Sequence, residues 1–325
     1  MRIALWDIVV AQKDRIVRLM PPGTELVDLP DAPASPVALD MLIASRFAAR
    51  DTGRVAPRLL QVPGAGTDKV DFAAVPPAAF ICNAYEHEQP ISEYVFAAIL
   101  DHATTYGAMV RRMPERGWGG AYFSRKPHLE VAGSTLGLIG LGHIGKAIAK
   151  RARAFDMKVA AVAATPRASA EYVDWVATAD RLGEMLAMAD YVVVACPLND
   201  ATRGMLGRKQ FAQMKKTALL VNVARAEIAV EEDLFNALKD GVIAGAVLDP
   251  WYRYPASASD PVEPAHFPFG SLPNVRMTPH SSAWTDGVWA RRCAFFVENL
   301  ARLGDGRPLL NIVREPAKSA ARAAG

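Results

Sequence analysis

A glycine-rich turn lies in the middle of the chain, between an apolar segment and a segment with helical periodicity. Residues 140–145 read Gly-Leu-Gly-His-Ile-Gly, and the apolar run Leu136–Ile139 leads into them. Gly140 would allow the tight turn, Gly142 would let the backbone approach a pyrophosphate, and Gly145 would let helix and strand pack closely. This arrangement predicts a dinucleotide-binding turn.

The segments on either side of this turn strengthen the prediction. The helical pattern continues from Lys146 to Phe155, so His143 and Ile144 would open a helix whose first N–H groups face the phosphates. Three glycines alone would also fit an ordinary strand–helix connection. Because nearly half of the chain precedes the turn, the cofactor domain must lie between segments that build something else.

Length and composition predict more than one domain. The chain has 325 residues, which is too many for one typical core. Apolar residues make up 51% and charged residues 22%, which is ordinary for a globular protein. The net charge of +3 gives no reason to expect nucleic acid or a membrane as a partner.

Cysteine usage and the N-terminus predict a cytoplasmic protein. Cys82, Cys196 and Cys293 lie in apolar segments without metal-ligand or redox spacing, which predicts buried thiols, a reducing compartment and no metal site. Residues 1–7 are typical of a first strand rather than of a signal peptide, and no apolar run has the length of a membrane span.

The first hundred residues alternate strand and helix patterns, which predicts a small parallel α/β unit. The predicted strands are Ile3–Trp6, Glu25–Asp28, Val37–Ile43, Arg58–Val62 and Ala79–Asn83, with a short helix at Val9–Met20. A long helix, Ile91–Arg112, is apolar on several faces and should be buried between domains or subunits. Residues 113–133, rich in Gly, Pro and aromatic residues, predict an irregular linker.

From Thr135 onward the pattern alternates strand and helix again, which predicts a doubly wound parallel sheet. Its predicted strands are Leu136–Ile139, Lys158–Val162, Tyr191–Ala195, Ala218–Asn222, Ala244–Leu248 and Arg276–Met277. The helix Trp284–Leu303 would return to the first unit, and the tail after Arg314 is typical of disorder.

Four ordered segments resemble those of the D-isomer-specific 2-hydroxyacid dehydrogenases, a family that includes glyoxylate/hydroxypyruvate reductases and formate dehydrogenases. They are residues 63–68, the turn at 140–145, an arginine signature at 222–249 and a histidine signature at 272–280. The resemblance covers nearly the whole chain. It implies an α/β fold in which a doubly wound parallel Rossmann domain is inserted into a smaller flavodoxin-like substrate domain.

The resemblance also implies the domain limits and the assembly. The dinucleotide-binding domain would span residues 101–284, and the discontinuous substrate domain would comprise residues 1–100 and 285–325. Since the family is usually dimeric through a long helix, it implies a homodimer formed through Ile91–Arg112.

The implied reaction is reduction of a small 2-keto acid, similar to glyoxylate or hydroxypyruvate, to the D-2-hydroxy acid. Such a reaction must bind the carboxylate, polarise the carbonyl and deliver a proton. Arg225 follows a buried strand, and its planar guanidinium suits the carboxylate and carbonyl oxygens; an ordinary surface arginine is the alternative. His280 follows a strand end behind a proline and would be the acid/base, although a structural histidine is the alternative.

Further site residues follow from the same resemblance. Gly64, Ala65 and Gly66 would present backbone N–H groups to the substrate carboxylate, unless they form a simple turn. Asp249 would accept a hydrogen bond from the nicotinamide amide, unless it caps a turn. Other residues expected to line the cofactor are Pro197, Thr202, Val223 and Ala224.

The first departure from the family concerns the cofactor. Ala163 occupies the position at which NAD-binding turns carry an acidic residue for the ribose 2′-hydroxyl. With no carboxylate there to repel a 2′-phosphate, Thr165 and Arg167 could bind one. We therefore expect a preference for NADP(H), with NAD(H) possible and no metal; the alternative is that Arg167 is a solvated loop charge.

The second departure concerns catalysis. Tyr254 stands where most of the family has a glutamate that pairs with the histidine, and formate dehydrogenases have a glutamine there. Three interpretations stay open: Tyr254 orients His280 by a hydrogen bond, a carboxylate such as Glu263 or Glu86 replaces the missing one, or the reaction is not keto-acid reduction. The alternative functions are formate-dehydrogenase-like oxidation and a dinucleotide-sensing protein with little turnover, against which the presence of both Arg225 and His280 argues.

Overall fold

The computed structural model describes residues 1–29 and 34–317. Its strands are β1 (Arg2–Leu5), β2 (Glu25–Leu26), β3 (Val37–Ile43), β4 (Val55–Gln61), β5 (Phe80–Cys82), β6 (Thr135–Ile139), β7 (Lys158–Val162), β8 (Trp175–Ala177), β9 (Tyr191–Val194), β10 (Leu219–Asn222), β11 (Gly245–Leu248), β12 (Val275–Met277) and β13 (Ile312–Arg314). Its α-helices are α1 (Lys13–Leu19), α2 (Glu88–Thr104), α3 (Tyr106–Phe123), α4 (His143–Ala154), α5 (Leu182–Met188), α6 (Arg208–Gln213), α7 (Glu231–Lys239) and α8 (Asp286–Asp305).

The chain divides into two compact units. Unit 1 comprises Met1–His87 and Thr285–Gly325, and unit 2 comprises Glu88–Trp284. The units meet at 87/88 and 284/285, compared with the limits of 100/101 and 284/285 that the resemblance implies. The difference arises because α2 packs on α4 and contributes Ile91 and Val95 to the core of unit 2.

Unit 1 is a flavodoxin-like α/β unit. Its sheet has the strand order β13-β5-β4-β3-β1-β2, in which β1 to β5 are parallel and β13 pairs antiparallel with β5. The predicted strands are present with displaced ends, and the predicted helix Val9–Met20 is a 3-10 turn, Asp7–Gln12, followed by α1. Apolar side chains cover both faces of the sheet, with Phe296 from α8 on one face and Phe47 on the other.

The sequence did not predict β13, which lies in the segment approaching the tail. Arg314 holds this edge strand, since its guanidinium donates to the carbonyls of Phe72, Val75, Pro76 and Ala79 at 2.7–3.3 Å. The chain stays ordered up to at least residue 317, whose N–H donates to a carbonyl oxygen at 2.8 Å. The rest of the tail expected to be disordered, residues 318–325, lies outside the described residues.

Unit 2 is a doubly wound parallel sheet. Its strand order is β12-β11-β10-β9-β6-β7-β8, and each pair of neighbours is parallel. The order reverses between β6 and β9, where open α/β sheets bind ligands beyond the carboxyl ends of the strands. The predicted strands are present, and β8 is an additional one that the sequence pattern did not indicate.

The prediction of one long helix, Ile91–Arg112, was wrong, because α2 ends at Thr104 and α3 begins at Tyr106. Asp101 accepts the N–H of Gly107 (2.8 Å), which diverts that N–H from the continuing helix, and Thr105 takes a left-handed φ of +53°. This backbone hydrogen bond is the main cause that lowers the pKa of Asp101.

The predicted irregular linker, residues 113–133, begins as helix, since α3 continues to Phe123. α3 buries none of its residues in the chain, and Gly117 interrupts it with a non-helical backbone (φ 67°, ψ 170°). Several of its large apolar side chains are exposed: Tyr106, Met109, Val110, Met113, Trp118, Tyr122 and Phe123. The face that could bind another molecule therefore lies on α3, while the apolar residues of α2 are packed inside unit 2.

Cys82, Cys196 and Cys293 are buried, as predicted. Burial raises the pKa of the Cys82 thiol to about 12 and that of Cys196 to about 11. In the part of the chain that the structure describes, no helix is both long enough and apolar enough to cross a bilayer.

Candidate active site

The connection between β6 and α4 has the geometry that a nucleotide-binding turn requires. Gly140 has a φ of +104°, and a Cβ there would lie 2.7 Å from the backbone nitrogen of Cys196. A Cβ on Gly145 would overlap the carbonyl oxygen of Gly140, so a glycine is needed where the helix starts against the strand. By contrast, no atom of the described residues lies within 4 Å of a Cβ on Gly142, which leaves room for a ligand against the backbone.

The start of α4 adds backbone donors to this open side. The first hydrogen bond within the helix runs from the Lys146 N–H to the Gly142 carbonyl (2.9 Å). The amides of His143 and Ile144 precede that bond, and amides in this position face a group bound at the helix N-terminus. Because β6 is also the strand at which the sheet order reverses, the turn fits the pyrophosphate of a dinucleotide.

The end of β7 lacks a carboxylate. Ala163 is buried, and its N–H continues the sheet by donating to the Ala177 carbonyl at 2.9 Å. Thr165 and Arg167 follow on the exposed surface. The chain therefore presents a hydroxyl and a guanidinium, and no acid, where an NAD-binding domain usually holds the ribose.

The other residues expected to line the cofactor are placed by their own turns. The Thr202 hydroxyl donates to the Pro197 carbonyl (2.7 Å) and accepts the Asn199 N–H (2.9 Å), so it stabilises the loop after β9. Val223 and Ala224 are buried directly after β10. Their contact with a cofactor remains a prediction.

Arg225 lies at the carboxyl edge of the unit 2 sheet, just beyond β10. Buried Asn222 shapes this connection, because its Oδ1 accepts the Ala224 N–H (3.0 Å) and its Nδ2 donates to the Arg225 carbonyl (2.9 Å). The Arg225 guanidinium is half-buried and donates through Nη1 to the Ala224 carbonyl (2.8 Å). A short asparagine-centred turn thus holds the arginine at the sheet edge.

The structure brings His280 and Tyr254 together. The Tyr254 hydroxyl and His280 Nδ1 are 2.7 Å apart, and the same hydroxyl oxygen accepts the Trp251 N–H at 3.1 Å. Burial raises the pKa of Tyr254 and outweighs the Trp251 N–H and the Arg225 charge, which lower it. The phenol is therefore neutral near physiological pH, and it adds no negative charge beside the imidazole.

Asp249 organises the turn that carries His280. Its buried carboxylate accepts hydrogen bonds from the Thr278 hydroxyl (2.6 Å), the Ser281 N–H (2.8 Å) and the Ser282 N–H (3.0 Å). The His280 N–H donates to the Asp249 carbonyl (3.0 Å). Since His280 has a left-handed φ of +55°, these bonds stabilise a backbone conformation that costs about 1–3 kcal/mol. They favour the turn-capping alternative for Asp249, and its contact with nicotinamide remains a prediction.

The two carboxylates considered as replacements have different surroundings. Glu86 belongs to unit 1, where it pairs with Arg291 at 3.0 Å. Glu263 is exposed and has no hydrogen bond or ion pair with any residue that the structure describes. Tyr254, which stands in the glutamate's position, contacts His280 directly.

Two aromatic residues near Tyr254 belong to the core of unit 2. Trp251 is buried and donates through its indole nitrogen to the Thr278 carbonyl (2.8 Å). Tyr252 donates to the Ala229 carbonyl (2.9 Å), burial raises its pKa, and both rings pack near Phe269. These contacts favour a structural role over a role in the substrate pocket.

In unit 1, the loop after β4 directs its carbonyls inward. The Ala84 N–H donates to the Gly64 carbonyl (3.2 Å), and the Asn83 side-chain amide donates to the Ala65 carbonyl (2.9 Å). Among the described residues, the N–H groups of Gly64, Ala65 and Gly66 have no acceptor. The loop therefore offers consecutive backbone donors to an anion.

The sequence did not indicate which hydroxyl groups form the hydrogen-bond chain that leads to Asp249. The Tyr94 hydroxyl, on α2, lies 2.7 Å from the Thr278 hydroxyl, which donates to Asp249. Thr278 directly precedes the Pro-His pair, so the histidine signature could have drawn attention to it. Tyr94 is distant in sequence, and only the fold brings it there. No group of three or more His, Cys, Asp or Glu in the described parts of the chain could hold a metal ion.

Comparison with known proteins identifies the family. Residues 96–282 match the family model described as D-isomer specific 2-hydroxyacid dehydrogenase, NAD binding domain. The glycerate dehydrogenase of Methylorubrum extorquens is 33% identical over 270 residues, covering 77% of each chain. The chain therefore belongs to the D-isomer specific 2-hydroxyacid dehydrogenases, and unit 2 contains the nicotinamide-dinucleotide-binding domain of that family.

Two further similarities concern length and fold. The glyoxylate reductase of Thermococcus gammatolerans is 36% identical over 177 residues, covering 54% of this chain and 50% of that relative. The chain spans about half the length of several curated relatives that it matches (47–54%). The structure of a D-isomer specific 2-hydroxyacid dehydrogenase family protein from Aeromonas salmonicida superposes with a TM-score of 0.80 at 27% identity, covering 96% of this chain and 98% of that one. The predicted fold class is thereby confirmed.

Proposed function

We propose that the chain is an NAD(P)-dependent oxidoreductase that reduces a small 2-keto acid to the D-2-hydroxy acid. The observation that carries the proposal is the hydrogen bond between Tyr254 and His280 Nδ1, in the same unit as Arg225 and the nucleotide turn. A dinucleotide-sensing protein would need neither an oriented histidine nor an arginine at the sheet edge. The names of the similar glycerate dehydrogenase and glyoxylate reductase support acids of two or three carbons.

In the proposed reaction, Arg225 binds the substrate and His280 transfers a proton. The guanidinium of Arg225 binds the carboxylate and polarises the keto oxygen. His280, held through Nδ1 by Tyr254, donates a proton from Nε2 to that oxygen as it becomes a hydroxyl. When bound, the nicotinamide supplies the hydride for the carbonyl carbon.

A neutral tyrosine in place of a glutamate gives His280 a different environment from that of most relatives. A carboxylate would favour the charged imidazolium by direct attraction, whereas the Tyr254 hydroxyl only accepts or donates a hydrogen bond. The hydroxyl oxygen accepts a hydrogen bond from Nδ1–H of the imidazolium, and it accepts the same bond from the neutral ring that remains after Nε2 has given up its proton, because Nδ1 keeps its hydrogen. Tyr254 is therefore an orienting residue that works in both protonation states of His280.

We propose a preference for NADP(H) over NAD(H). The missing acid at Ala163 and the exposed Thr165 and Arg167 after β7 favour a ribose that carries a 2′-phosphate. The KM for NADPH should lie well below that for NADH, and Arg167→Ala should raise only the NADPH value. Comparable values for the two cofactors in the unaltered protein would contradict the preference.

We also propose a homodimer, formed through α3 instead of the originally expected Ile91–Arg112. The exposed apolar side chains of α3 form a surface unusual for a monomer, with Trp118 exposed by 67% and Phe123 by 88%. Light scattering should give twice the chain mass for the unaltered protein and a lower mass for Trp118→Asp. A monomer at micromolar concentration would contradict this assembly.

The activity is tested by the loss of nicotinamide absorbance. NADPH and NADH are each supplied with glyoxylate, hydroxypyruvate, pyruvate, 2-ketoisocaproate or phenylpyruvate, and His280→Gln is the control. We expect turnover with a small acid in the unaltered protein and a loss of at least about 100-fold in the control. Oxidation of formate is measured in parallel, because formate dehydrogenases also lack the glutamate. Nucleotide binding without turnover of any acid would contradict the proposal and favour a sensor.

A further inference from the structure

Two polar contacts join α2 to the segment that leads to His280. The Tyr94 hydroxyl lies 2.7 Å from the Thr278 hydroxyl, and the Arg276 guanidinium donates to the Asp101 carboxylate at 3.1 Å. Tyr94 and Asp101 are separated by two turns of α2, so they share one face of that helix. Arg276 and Thr278 alternate along β12 and its continuation, so they point to the same side. The two contacts therefore fix α2 alongside the strand that ends at the histidine turn.

The hydrogen bonds from Tyr94 to Asp249 run in one direction. The buried Asp249 carboxylate accepts a backbone N–H at each oxygen, and Oδ1 also lies 2.6 Å from the Thr278 hydroxyl. Because an ionised carboxylate only accepts, Thr278 gives its single hydroxyl hydrogen to Asp249, and Tyr94 is then the donor to Thr278. Burial outweighs the Thr278 hydrogen bond and, together with the Asp249 charge, raises the pKa of Tyr94. The phenol thus keeps its hydrogen near physiological pH.

The Tyr94 hydroxyl is the outermost donor of a chain that ends at the His280 turn. Hydrogen bonds in series polarise one another, so this donor strengthens the bond between Thr278 and the buried carboxylate. Asp249 in turn holds His280 in a left-handed backbone conformation that costs energy without such support. A weaker chain should therefore affect the position of His280 before it affects the rest of the fold.

We propose that Tyr94 is a positioning residue for His280, which acts through Thr278 and Asp249. The inference rests on the proposed function for the role of His280 in proton transfer. The hydroxyl and the ring of Tyr94 have separate roles, because the ring packs against the core of unit 2 while the hydroxyl donates to Thr278. A variant that keeps the ring can therefore test the hydroxyl alone.

The first test is the steady-state kinetics of Tyr94→Phe, which removes only the hydroxyl. With glyoxylate and NADPH, kcat should fall by about 3- to 10-fold, which is the effect of one neutral hydrogen bond. The KM for glyoxylate and the Kd for NADPH should stay within about 2-fold, because the hydroxyl positions a group that acts in the transition state. A general disturbance of unit 2 would instead weaken nucleotide binding as well.

Three controls separate the hydrogen-bond chain from packing. Tyr191→Phe removes a hydroxyl from another tyrosine of unit 2, one with no hydrogen bond to any described residue, and should keep kcat within about 2-fold. Thr278→Val breaks the chain, and adding Tyr94→Phe to it should cost little more. Thr278→Ser retains a hydroxyl and should keep more of kcat than Thr278→Val. Arg276→Gln removes the exposed ion pair to Asp101 and should lower kcat by less than about 2-fold.

The second test does not depend on turnover. The chain has six histidines, and labelling them with carbon-13 gives ring signals in nuclear magnetic resonance spectra, of which the His280 signal is the one missing in His280→Gln. Tyr94→Phe should shift the His280 signal, whereas Tyr191→Phe should leave it in place. The spectra are recorded on the full chain with NADPH bound.

The outcomes distinguish this inference from the proposed function. If the protein reduces a keto acid, an unchanged kcat or an unchanged His280 signal in Tyr94→Phe would overturn only the inference. A loss in Arg276→Gln as large as that in Tyr94→Phe would also overturn it, because the seating of α2 would then matter and not the hydroxyl. A shifted His280 signal in a protein that turns over no acid would support the positioning role and contradict the proposed reaction.

Discussion

Replacing Gly142 by alanine should weaken nucleotide binding and leave the folding stability almost unchanged. The residue has φ −82° and ψ −156°, which other amino acids also adopt, and a Cβ there meets no atom of the described residues within 4 Å. Such a substitution stabilises a protein by about 0.4–1 kcal/mol, because the unfolded chain loses freedom. Residue 142 is also the N-cap of α4, where alanine is less favourable than glycine, and this loss is about as large as the gain from the unfolded chain. We therefore expect the free energy of unfolding to change by less than about 1 kcal/mol.

The effect of the added methyl group should appear when the nucleotide binds. If the open side of Gly142 receives the pyrophosphate, the methyl group occupies the space through which the phosphate approaches the backbone. Forcing one extra methyl group into a close contact costs about 1–3 kcal/mol. This corresponds to a rise in the Kd for NADPH of roughly 5- to 150-fold.

Gly145→Ala is the matched control, because it adds the same methyl group to the same turn. A Cβ there overlaps the Gly140 carbonyl, so the strand–helix connection must shift, and we expect a loss of about 1–3 kcal/mol in the free energy of unfolding. Urea unfolding measures the stabilities, and NADPH fluorescence measures the Kd values. Gly142→Ala that binds NADPH like the unaltered protein would refute the assignment of its open side to the nucleotide. A loss of stability equal to that of Gly145→Ala would refute the steric reasoning.

Three other predictions concern the histidine turn and the edge strand. The proposed reduction needs a protonated His280, so kcat/KM should fall as the pH rises past the pKa of that imidazole. Tyr254→Glu should move this fall upward by about one pH unit or more, because a carboxylate favours the imidazolium. The Tyr254 hydroxyl, whose pKa is raised, adds no ionisation below about pH 10. Asp249→Asn turns an amide group toward backbone N–H donors, and it should lower kcat at least about 10-fold while far-ultraviolet circular dichroism stays native. Arg314→Met leaves several carbonyls without their donor and should destabilise unit 1 by roughly 2–4 kcal/mol in urea unfolding; a change below about 0.5 kcal/mol would contradict that role.

The elements predicted best are those whose signal is local. The parallel strands of both units are continuous apolar runs, which are recognisable in the sequence. The roles of Gly140 and Gly145 follow from a short motif, because a Cβ at either position would clash with neighbouring backbone atoms. The end of α2 could not be predicted in this way. The helical pattern continues through Thr105, and the break depends on a tertiary arrangement in which Asp101 takes the Gly107 N–H and the Leu129 N–H takes the Ala103 carbonyl instead.

At the candidate site, the sequence indicated the residue types but not their supports. Arg225, His280 and the tyrosine in the glutamate's place were recognisable from four ordered segments, and Tyr254 as a partner of His280 was one of three open interpretations. The hydrogen bonds that the buried Asp249 carboxylate accepts could not be predicted. An aspartate at a strand end looks the same in the sequence whether its carboxylate contacts a ligand or accepts hydrogen bonds from the turn that follows.

The placement and the protonation of His280 depend on different neighbours. Asp249 fixes the backbone through the N–H groups on the far side of the histidine, and Thr278 and Tyr94 extend that support into α2. Tyr254 contacts the imidazole ring through its hydroxyl. Because Asp249 holds the backbone on both sides of His280, we expect residue 254 to be exchangeable between a carboxylate and a neutral phenol with the imidazole kept in place. What changes is the charge beside the ring, so we expect the substitution at 254 to alter the pH range of the proposed proton transfer more than the geometry of the site.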